Sequence, residues 1–426
     1  MSDLLNRDKS AIWHPFTQLT STLDPLPIES ADGVYLNTTD GRKILDAISS
    51  WWVNLHGHSH PYIADAIAKQ AEKLEHVIFA GFTHEPAIQL AENLLSILPK
   101  NQSKIFFSDN GSTAVEVGLK MAFQFWHNQQ INKRKIIAFN GSYHGDTFGA
   151  MAVGDRGPFS APFSPYLFDV EFIDSPTDYN WEEVKGRFKA LVDSKEVGAF
   201  IFEPLVLGSA GMRMHKSEYL DELIQYAQQL DVICIADEVF TGFGRTGKLF
   251  ASDYLINKPD IMALSKGLTG GTMALGVTSC TERIIDAYRS NDIMKTFFHG
   301  HSFTANPIAC AAANASFDLL MESNCQKAIE DITAWQHEHL NELKNHNRIS
   351  NVRQLGTILA FEINTKAESS YVNEVRHKLY PYFLDRDILL RPLGNTIYVL
   401  PPYVINRSEM QMIYTAINEL LASDLI

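Results

Sequence analysis

Cysteine is scarce in this sequence of 426 residues: Cys234, Cys280, Cys310 and Cys325 are the whole set, and no two stand at C-x-x-C spacing. That excludes a disulfide framework and a zinc ribbon, and the four read as reduced core or surface thiols of a cytosolic protein. Long apolar runs are missing as well. Nothing approaches the ~18 residues a membrane helix needs, and no charged-then-apolar leader opens the chain, so a cytoplasmic protein without a membrane span is expected. Positive charge is in deficit, with 36 Lys and Arg against 50 Asp and Glu and a formal net charge of −14. That balance argues against nucleic acid or an anionic membrane as the main partner. An anionic ligand would need local help from backbone amides and a few basic groups. Apolar residues make up 45% of the chain, enough for a large core, and the length exceeds one ordinary domain of about 150 residues.

What is present centres on IMALSKGLTGG, residues 261–271. Ile261 to Leu264 read as a short buried strand, and Gly267, Gly270 and Gly271 let the chain bend sharply after Lys266. A lysine at the end of such a strand is partly desolvated, which lowers its pKa, and a neutral amine condenses with an aldehyde. Upstream, VICIADE at 232–238 reads as a second buried strand that ends in Asp237 and Glu238. Carboxyl ends of strands face the crevice where open α/β sheets bind ligands. A strand-Asp followed by a strand-Lys suits pyridoxal phosphate: the lysine carries the aldehyde, and the aspartate keeps the ring nitrogen protonated so that the ring remains an electron sink.

A third element fits the same ligand. Asp109-Asn110-Gly111-Ser112 leads into a helix expected over 113–127, with Thr113 to Glu116 matching a capping box. A Gly-Ser turn at a helix N-terminus binds anions through free amides and the helix dipole, which makes Gly111 and Ser112 the candidates for a phosphate. Tyr143, in NGSYHGD, is the candidate aromatic platform for a pyridine ring. Two competing motifs fail. Residues 242–248, GFGRTGK, match the dinucleotide fingerprint, but no adequate amphipathic helix follows. They also match a P-loop, but Leu249 stands where Ser or Thr is needed. The run His56-Gly57-His58-Ser59-His60 lacks carboxylate or cysteine partners at ligand spacing and leads into Pro61 at a helix start, so no metal is assigned.

The blocks IADEVFTGFGRTGKLFA and LSKGLTGG resemble the class III, fold-type I pyridoxal-phosphate aminotransferases. IWHPFTQ at 12, SSWWVNLHGH at 49 and RPLGNTIYVLPPY at 391 are similar to its biotin-pathway subgroup, and the matching blocks span nearly the whole chain in order. The resemblance implies an α/β fold: a large domain over 50–304 with a mostly parallel seven-stranded sheet, and a smaller α+β domain built from 1–49 and 305–426. It implies transamination of 8-amino-7-oxononanoate to 7,8-diaminononanoate, with S-adenosylmethionine the default amino donor and lysine the alternative. It implies a homodimer with shared active sites, in which the loop of Gly300, His301 and Ser302 reaches the neighbouring subunit's site, Ser302 offering a hydroxyl to the phosphate. Trp51 would line the channel for an alkyl chain, Tyr143 would face the substrate, and Arg391 would clamp the substrate carboxylate. Glu203 would lie near the cofactor, with His144 and Asp146 in support. Phe16 falls where many members carry a substrate-contacting tyrosine, and His301-Ser302 where the subgroup often has Pro-Thr. Both departures bear on the donor. The chief rival is another class III ω-aminotransferase acting on a simple diamine or γ-amino acid.

Elsewhere, helices are expected over 62–78, 85–97, 217–230, 305–320, 326–344, 370–386 and 407–422. The alternation over 33–48 around Asp40-Gly41 reads as a hairpin. Residues 151–180 show no period and read as a long loop, and the small-residue helix 305–320 is expected to return toward the N-terminal segment.

Overall fold

The computed structural model describes residues 2–20, 23–365 and 373–426. Its centre is a seven-stranded sheet in the order Gln102–Ser108, Gly276–Thr281, Ile261–Leu264, Ile233–Asp237, Val197–Phe202, Lys135–Phe139, Glu171–Ile173. Gly276–Thr281 runs opposite to the other six strands of this sheet. The central strands are continuous apolar runs, buried along their whole length, as parallel strands covered on both faces must be. Asp237 and Lys266 thus sit at the same end of two adjacent parallel strands, registered with Asp237 opposite Ala263.

The helix Gly111–Asn128 lies across these two strands. Its Gly118 allows the close approach: a Cβ there would come 3.3 Å from Ile261 Cγ2 and 3.5 Å from Ile235 Cγ2. Trp126, in its last turns, is buried and donates its indole N–H to Gly198 O at 2.9 Å. The helix N-terminus is thereby pinned at the strand ends where Asp237 and Lys266 emerge. The capping box is real but one turn earlier than the sequence suggested. Asn110 is the N-cap and accepts from Thr113 N, and Thr113 Oγ1 accepts from Asn110 N. Glu116 instead accepts from Thr147 Oγ1, Gly149 N and Ala150 N, and so fixes the segment after Tyr143.

Two smaller sheets are built from the chain ends. Ile28–Asp32, Tyr35–Thr38 and Lys43–Asp46 are antiparallel, and Ile388–Leu389 joins them in parallel to Lys43–Asp46. Gly41 makes the expected hairpin turn at φ 89°. Ile349–Leu355, Ile358–Ile363 and Thr396–Val399 form an antiparallel three-stranded sheet.

Some expectations need correction. The stretch 151–180 is not a plain loop: it holds a 3-10 helix, Ala161–Tyr166, and the edge strand Glu171–Ile173 of the main sheet. That strand is only three residues long, too short to show alternation. The helix expected over 62–78 ends at Lys73. Residues 370–372 of the expected helix 370–386 lie outside the described residues, and the helix runs from Arg376 to Leu384. The small-residue helix, Pro307–Met321, packs on helices Pro61–Lys73 and Glu85–Ile97 and on the Lys266 turn rather than on the N-terminal segment. Among the described residues no helix is long and apolar enough to cross a membrane.

Candidate active site

A cavity of about 490 Å³ opens at the carboxyl ends of the central strands, and its lining includes Gly111, Ser112, Tyr143, Asp237 and Lys266. These five came from separate stretches of sequence, and the sheet brings them together. Lys266 begins a 3-10 turn, with φ 42°, immediately after its strand. Its amine lies 4.9 Å from the centre of the Trp52 ring and 5.8 Å from that of Phe240. Burial pulls its pKa below the ordinary lysine value, against the opposing pull of Asp237 and Glu203. A larger neutral fraction follows, as nucleophilic attack on a carbonyl requires.

Asp237 is buried, and its Oδ2 lies 2.7 Å from His144 Nδ1, while its Oδ1 accepts from Val239 N at 3.1 Å. Glu203 is buried nearby and accepts from Tyr143 N and from Gly208 N, each at 2.9 Å. Burial lifts its carboxyl to about 7; His144 opposes the rise and Asp237 adds to it. Tyr143 has its phenol pushed well above the ordinary range by burial first and by Asp146 second. Glu238, the second acid of the strand end, faces the other way: it accepts from Ala251 N and Ser252 N and organises the loop after Phe240.

At the helix N-terminus the amides of Gly111 and Ser112 meet no acceptor among the described residues, as first-turn N–H groups do unless a ligand takes them. Ser112 Oγ accepts from Asp146 N at 3.2 Å. Gly145, at φ 128°, closes over it, and a Cβ there would stand 2.0 Å from Ser112 Oγ. The cavity therefore offers free amides for a phosphate, a buried carboxylate for a ring nitrogen and a desolvated primary amine for an aldehyde. This donor set fits pyridoxal phosphate.

Phe16, Trp51 and Arg391 form a second group, joined to the cavity through Trp52, the chain neighbour of Trp51, which lines it. The Phe16 and Trp51 rings meet edge to face at 5.6 Å, and the Arg391 guanidinium lies 5.3 Å from the centre of the Trp51 ring. Trp51 and Trp52 sit on a turn in which all four residues from Ser49 to Trp52 have positive φ. Left-handed backbone costs L-residues roughly 1–2 kcal/mol each, and its effect is to send the two indoles to different places, Trp51 to Arg391 and Trp52 to Lys266. Gly300, His301 and Ser302 do not line the cavity of this chain. Ser302 is exposed, and His301 Nδ1 accepts from Phe303 N at 3.2 Å within its own loop.

Three contributors escaped the sequence reading. Trp52 and Phe240 face the Lys266 amine, but neither periodicity nor spacing separates Trp52 from Trp51. Arg245 is fully buried and donates to the carbonyls of Trp52, Asn54 and Pro401. The glycines of its loop match phosphate-binding motifs, whereas in the fold the loop supports the tryptophan turn. The histidines read as non-ligands are engaged in the fold: His56 Nε2 lies 3.0 Å from Ser316 Oγ, and His58 Nε2 lies 3.0 Å from Asp46 Oδ2.

The chain matches the family model of aminotransferase class-III over residues 19–421. It is 47% identical over 418 residues to the adenosylmethionine-8-amino-7-oxononanoate aminotransferase of Synechococcus elongatus, with 96% of this chain and 98% of that protein covered. The crystal structure of the protein of that name from Methanocaldococcus jannaschii superposes with a TM-score of 0.92 at 35% identity, over 98% of this chain and 99% of the other. An amine transaminase from an uncultivated Pseudomonas species, solved in its PLP-bound form, superposes with a TM-score of 0.90 at 27% identity, over 97% and 98% of the two chains.

Proposed function

This chain belongs to the class-III aminotransferases, which depend on pyridoxal phosphate, and on that premise we propose that it aminates 8-amino-7-oxononanoate to 7,8-diaminononanoate in biotin synthesis. The observation that carries the substrate is the Arg391–Trp51 pair beside the Lys266 cavity. A guanidinium matches a carboxylate bidentately, and an indole gives an alkyl chain an apolar wall.

The chemistry supplied by the cofactor when bound is an aldehyde that takes up and hands on an amino group, on a ring that withdraws electrons. The residues divide the remaining work. Gly111 and Ser112 offer amides to the phosphate. Asp237, oriented by His144 and Val239 N, holds a proton on the ring nitrogen. Tyr143 provides an aromatic face. The Lys266 amine would hold the aldehyde, and as a neutral base it would move a proton at the substrate carbon, a role worth ~10²–10⁴-fold in rate. Trp52 and Phe240 give that amine two aromatic neighbours.

The large domain spans 50–304 and the small one joins 1–49 to 305–426. Gly300, His301 and Ser302 serve the site of a second copy in a homodimer, which suits their place outside this chain's cavity. The enzyme works in the cytoplasm. S-adenosylmethionine is the donor favoured by the names of the relatives, and Phe16, which lacks a phenol hydroxyl, is the reason to test lysine beside it.

The test is borohydride reduction of the purified protein, followed by peptide mass spectrometry and a donor screen. A cofactor adduct on Lys266 is expected, lost in Lys266→Ala along with turnover. Turnover of 8-amino-7-oxononanoate with S-adenosylmethionine or lysine is expected to exceed that of 4-aminobutyrate and ornithine. An adduct elsewhere, or preference for the small amines, would sink the assignment.

A further inference from the structure

Four successive residues, none of them glycine, stand in the left-handed region from Ser49 to Trp52, with φ of 53°, 45°, 70° and 74°. Such a run needs support from outside, and the support is unevenly shared. Trp52 is tied on its own account. Its indole N–H donates to the Tyr398 hydroxyl at 3.0 Å, its carbonyl accepts from Arg245 at 3.2 Å, and only 5% of it is exposed. Trp51 is 41% exposed, and its indole makes no hydrogen bond among the described residues; Phe16 and Arg391 rest against its ring. What fixes Trp51 is the backbone of the turn.

Asp46 holds that backbone. Its Oδ1 accepts from Ile48 N at 3.1 Å, and its Oδ2 accepts the Ser50 hydroxyl at 2.7 Å and meets His58 Nε2 at 3.0 Å. The other ring nitrogen of His58 lies 3.2 Å from the Asn54 amide nitrogen, which only donates. With Nδ1 engaged by Asn54, Nε2 is the ring nitrogen that meets Asp46. The Asp46 side chain is wholly buried and that of His58 is 14% exposed, so solvent has little access to the bond between them. None of the three side chains lines the cavity.

We propose that Asp46, Ser50 and His58 are positioning residues for the acceptor half of the reaction: they hold Trp51 as the wall beside Arg391 and so set the affinity for a long-chain carboxylate. The choice of ligand rests on the proposed function. Because Trp52 has its own anchors, loosening the clamp frees the Arg391 end of the site and leaves the Lys266 end in place.

The experiment compares holoenzyme of the wild type, His58→Phe, and Ser50→Ala, which removes the hydroxyl's bond to Asp46 and its 3.5 Å contact with His58 Nε2 and spares the buried acid. Nonanoate, a nine-carbon carboxylate that cannot react, is titrated by calorimetry. The donor half-reaction is followed separately in a single turnover, as the change in cofactor absorbance with donor alone. Nonanoate affinity should fall about tenfold or more in both variants, with the donor half-reaction within about twofold of wild type. Unchanged nonanoate binding in both variants overturns the proposal, and so does a parallel loss of both readouts, which general loosening of the fold would give. A wild type without affinity for nonanoate also overturns it. A wild type that binds nonanoate but leaves 8-amino-7-oxononanoate unaminated would remove the proposed function instead, and the variants' binding would still decide the clamp.

Discussion

The Nδ1 of His144 lies 2.7 Å from Asp237 Oδ2, and both side chains are buried. With Val239 N on the other carboxylate oxygen, Asp237 is held from two sides and cannot turn away from the cavity. Removing its charge and removing its support should therefore differ. Asp237→Asn is expected to lower turnover by ~10²–10³-fold, the scale for a lost electrostatic stabiliser at a reacting centre. His144→Phe removes one hydrogen bond to a charged group, about 1.5–3 kcal/mol. It is expected to weaken cofactor binding by ~10–100-fold while the Lys266 adduct still forms. Cofactor titration of the two apoproteins, beside their turnover, checks both; wild-type affinity in His144→Phe would remove the histidine from the site.

Glu203 supplies a pH-dependent prediction. Burial raises its carboxyl from 4.5 to about 7, so between those values the folded protein keeps a proton that the unfolded chain has released. Its contribution to stability is complete below 4.5 and is lost as pH rises through about 7. At about 1.4 kcal/mol per pH unit the rise is worth about 3 kcal/mol. Glu203→Gln removes this titration, but its amide can accept from only one of Tyr143 N and Gly208 N. The variant should melt below wild type at about pH 5, and the gap should narrow at about pH 8.5. Melting curves at the two pH values decide, and a constant gap would mean that Glu203 stays ionised in the fold.

Much of this architecture was legible because the main sheet is written in apolar runs. Lys135–Phe139 and Ile261–Leu264 stand out as short buried strands between glycine, proline and polar punctuation, and each ends where a polar loop begins. Strand ends point to one crevice, so the sequence alone pairs Asp237 with Lys266. What stayed hidden depends on backbone with no residue signature. Nothing in SSWW announces a left-handed turn, because serine and tryptophan rarely adopt one unless the fold compels it. The supports that compel it, Asp46, Leu400 O and Arg245, come from the two chain ends and from the glycine loop. The cap at Asn110 was missed for a different reason, as two overlapping capping patterns compete there and only the geometry selects one.

Arg391 gives a prediction that separates binding from chemistry. Its guanidinium is positioned against Trp51 and not against the cavity lysine. Arg391→Ala should raise KM for 8-amino-7-oxononanoate by ~10–100-fold, from about 1.5–3 kcal/mol for hydrogen bonds to a carboxylate, and leave the donor half-reaction within about twofold. Arg391→Lys should recover only part, since an ammonium lacks the planar fork. Steady-state kinetics with the acceptor varied, beside single turnovers with donor alone, make the distinction. A fall in kcat with KM unchanged would place Arg391 nearer the reacting atoms than the structure does.

The helix N-terminus at the cavity depends on a missing side chain. Gly145 has φ 128°, and a Cβ there would lie 2.0 Å from Ser112 Oγ and 2.8 Å from Ser112 Cα. The hydroxyl can rotate away from such a group, but the Cα cannot without moving the first turn of the helix Gly111–Asn128. Gly145→Ala therefore asks two things at once: a backbone conformation that L-residues rarely adopt, and displacement of the amides offered to the phosphate. The first costs more than about 1 kcal/mol of stability, and the second should appear as weaker cofactor binding beyond that. Ser112→Ala relieves the nearest contact but leaves the backbone one, so the double variant should regain little cofactor affinity. Recovery of wild-type affinity in the double variant would mean that the hydroxyl, and not the helix N-terminus, is what Gly145 protects.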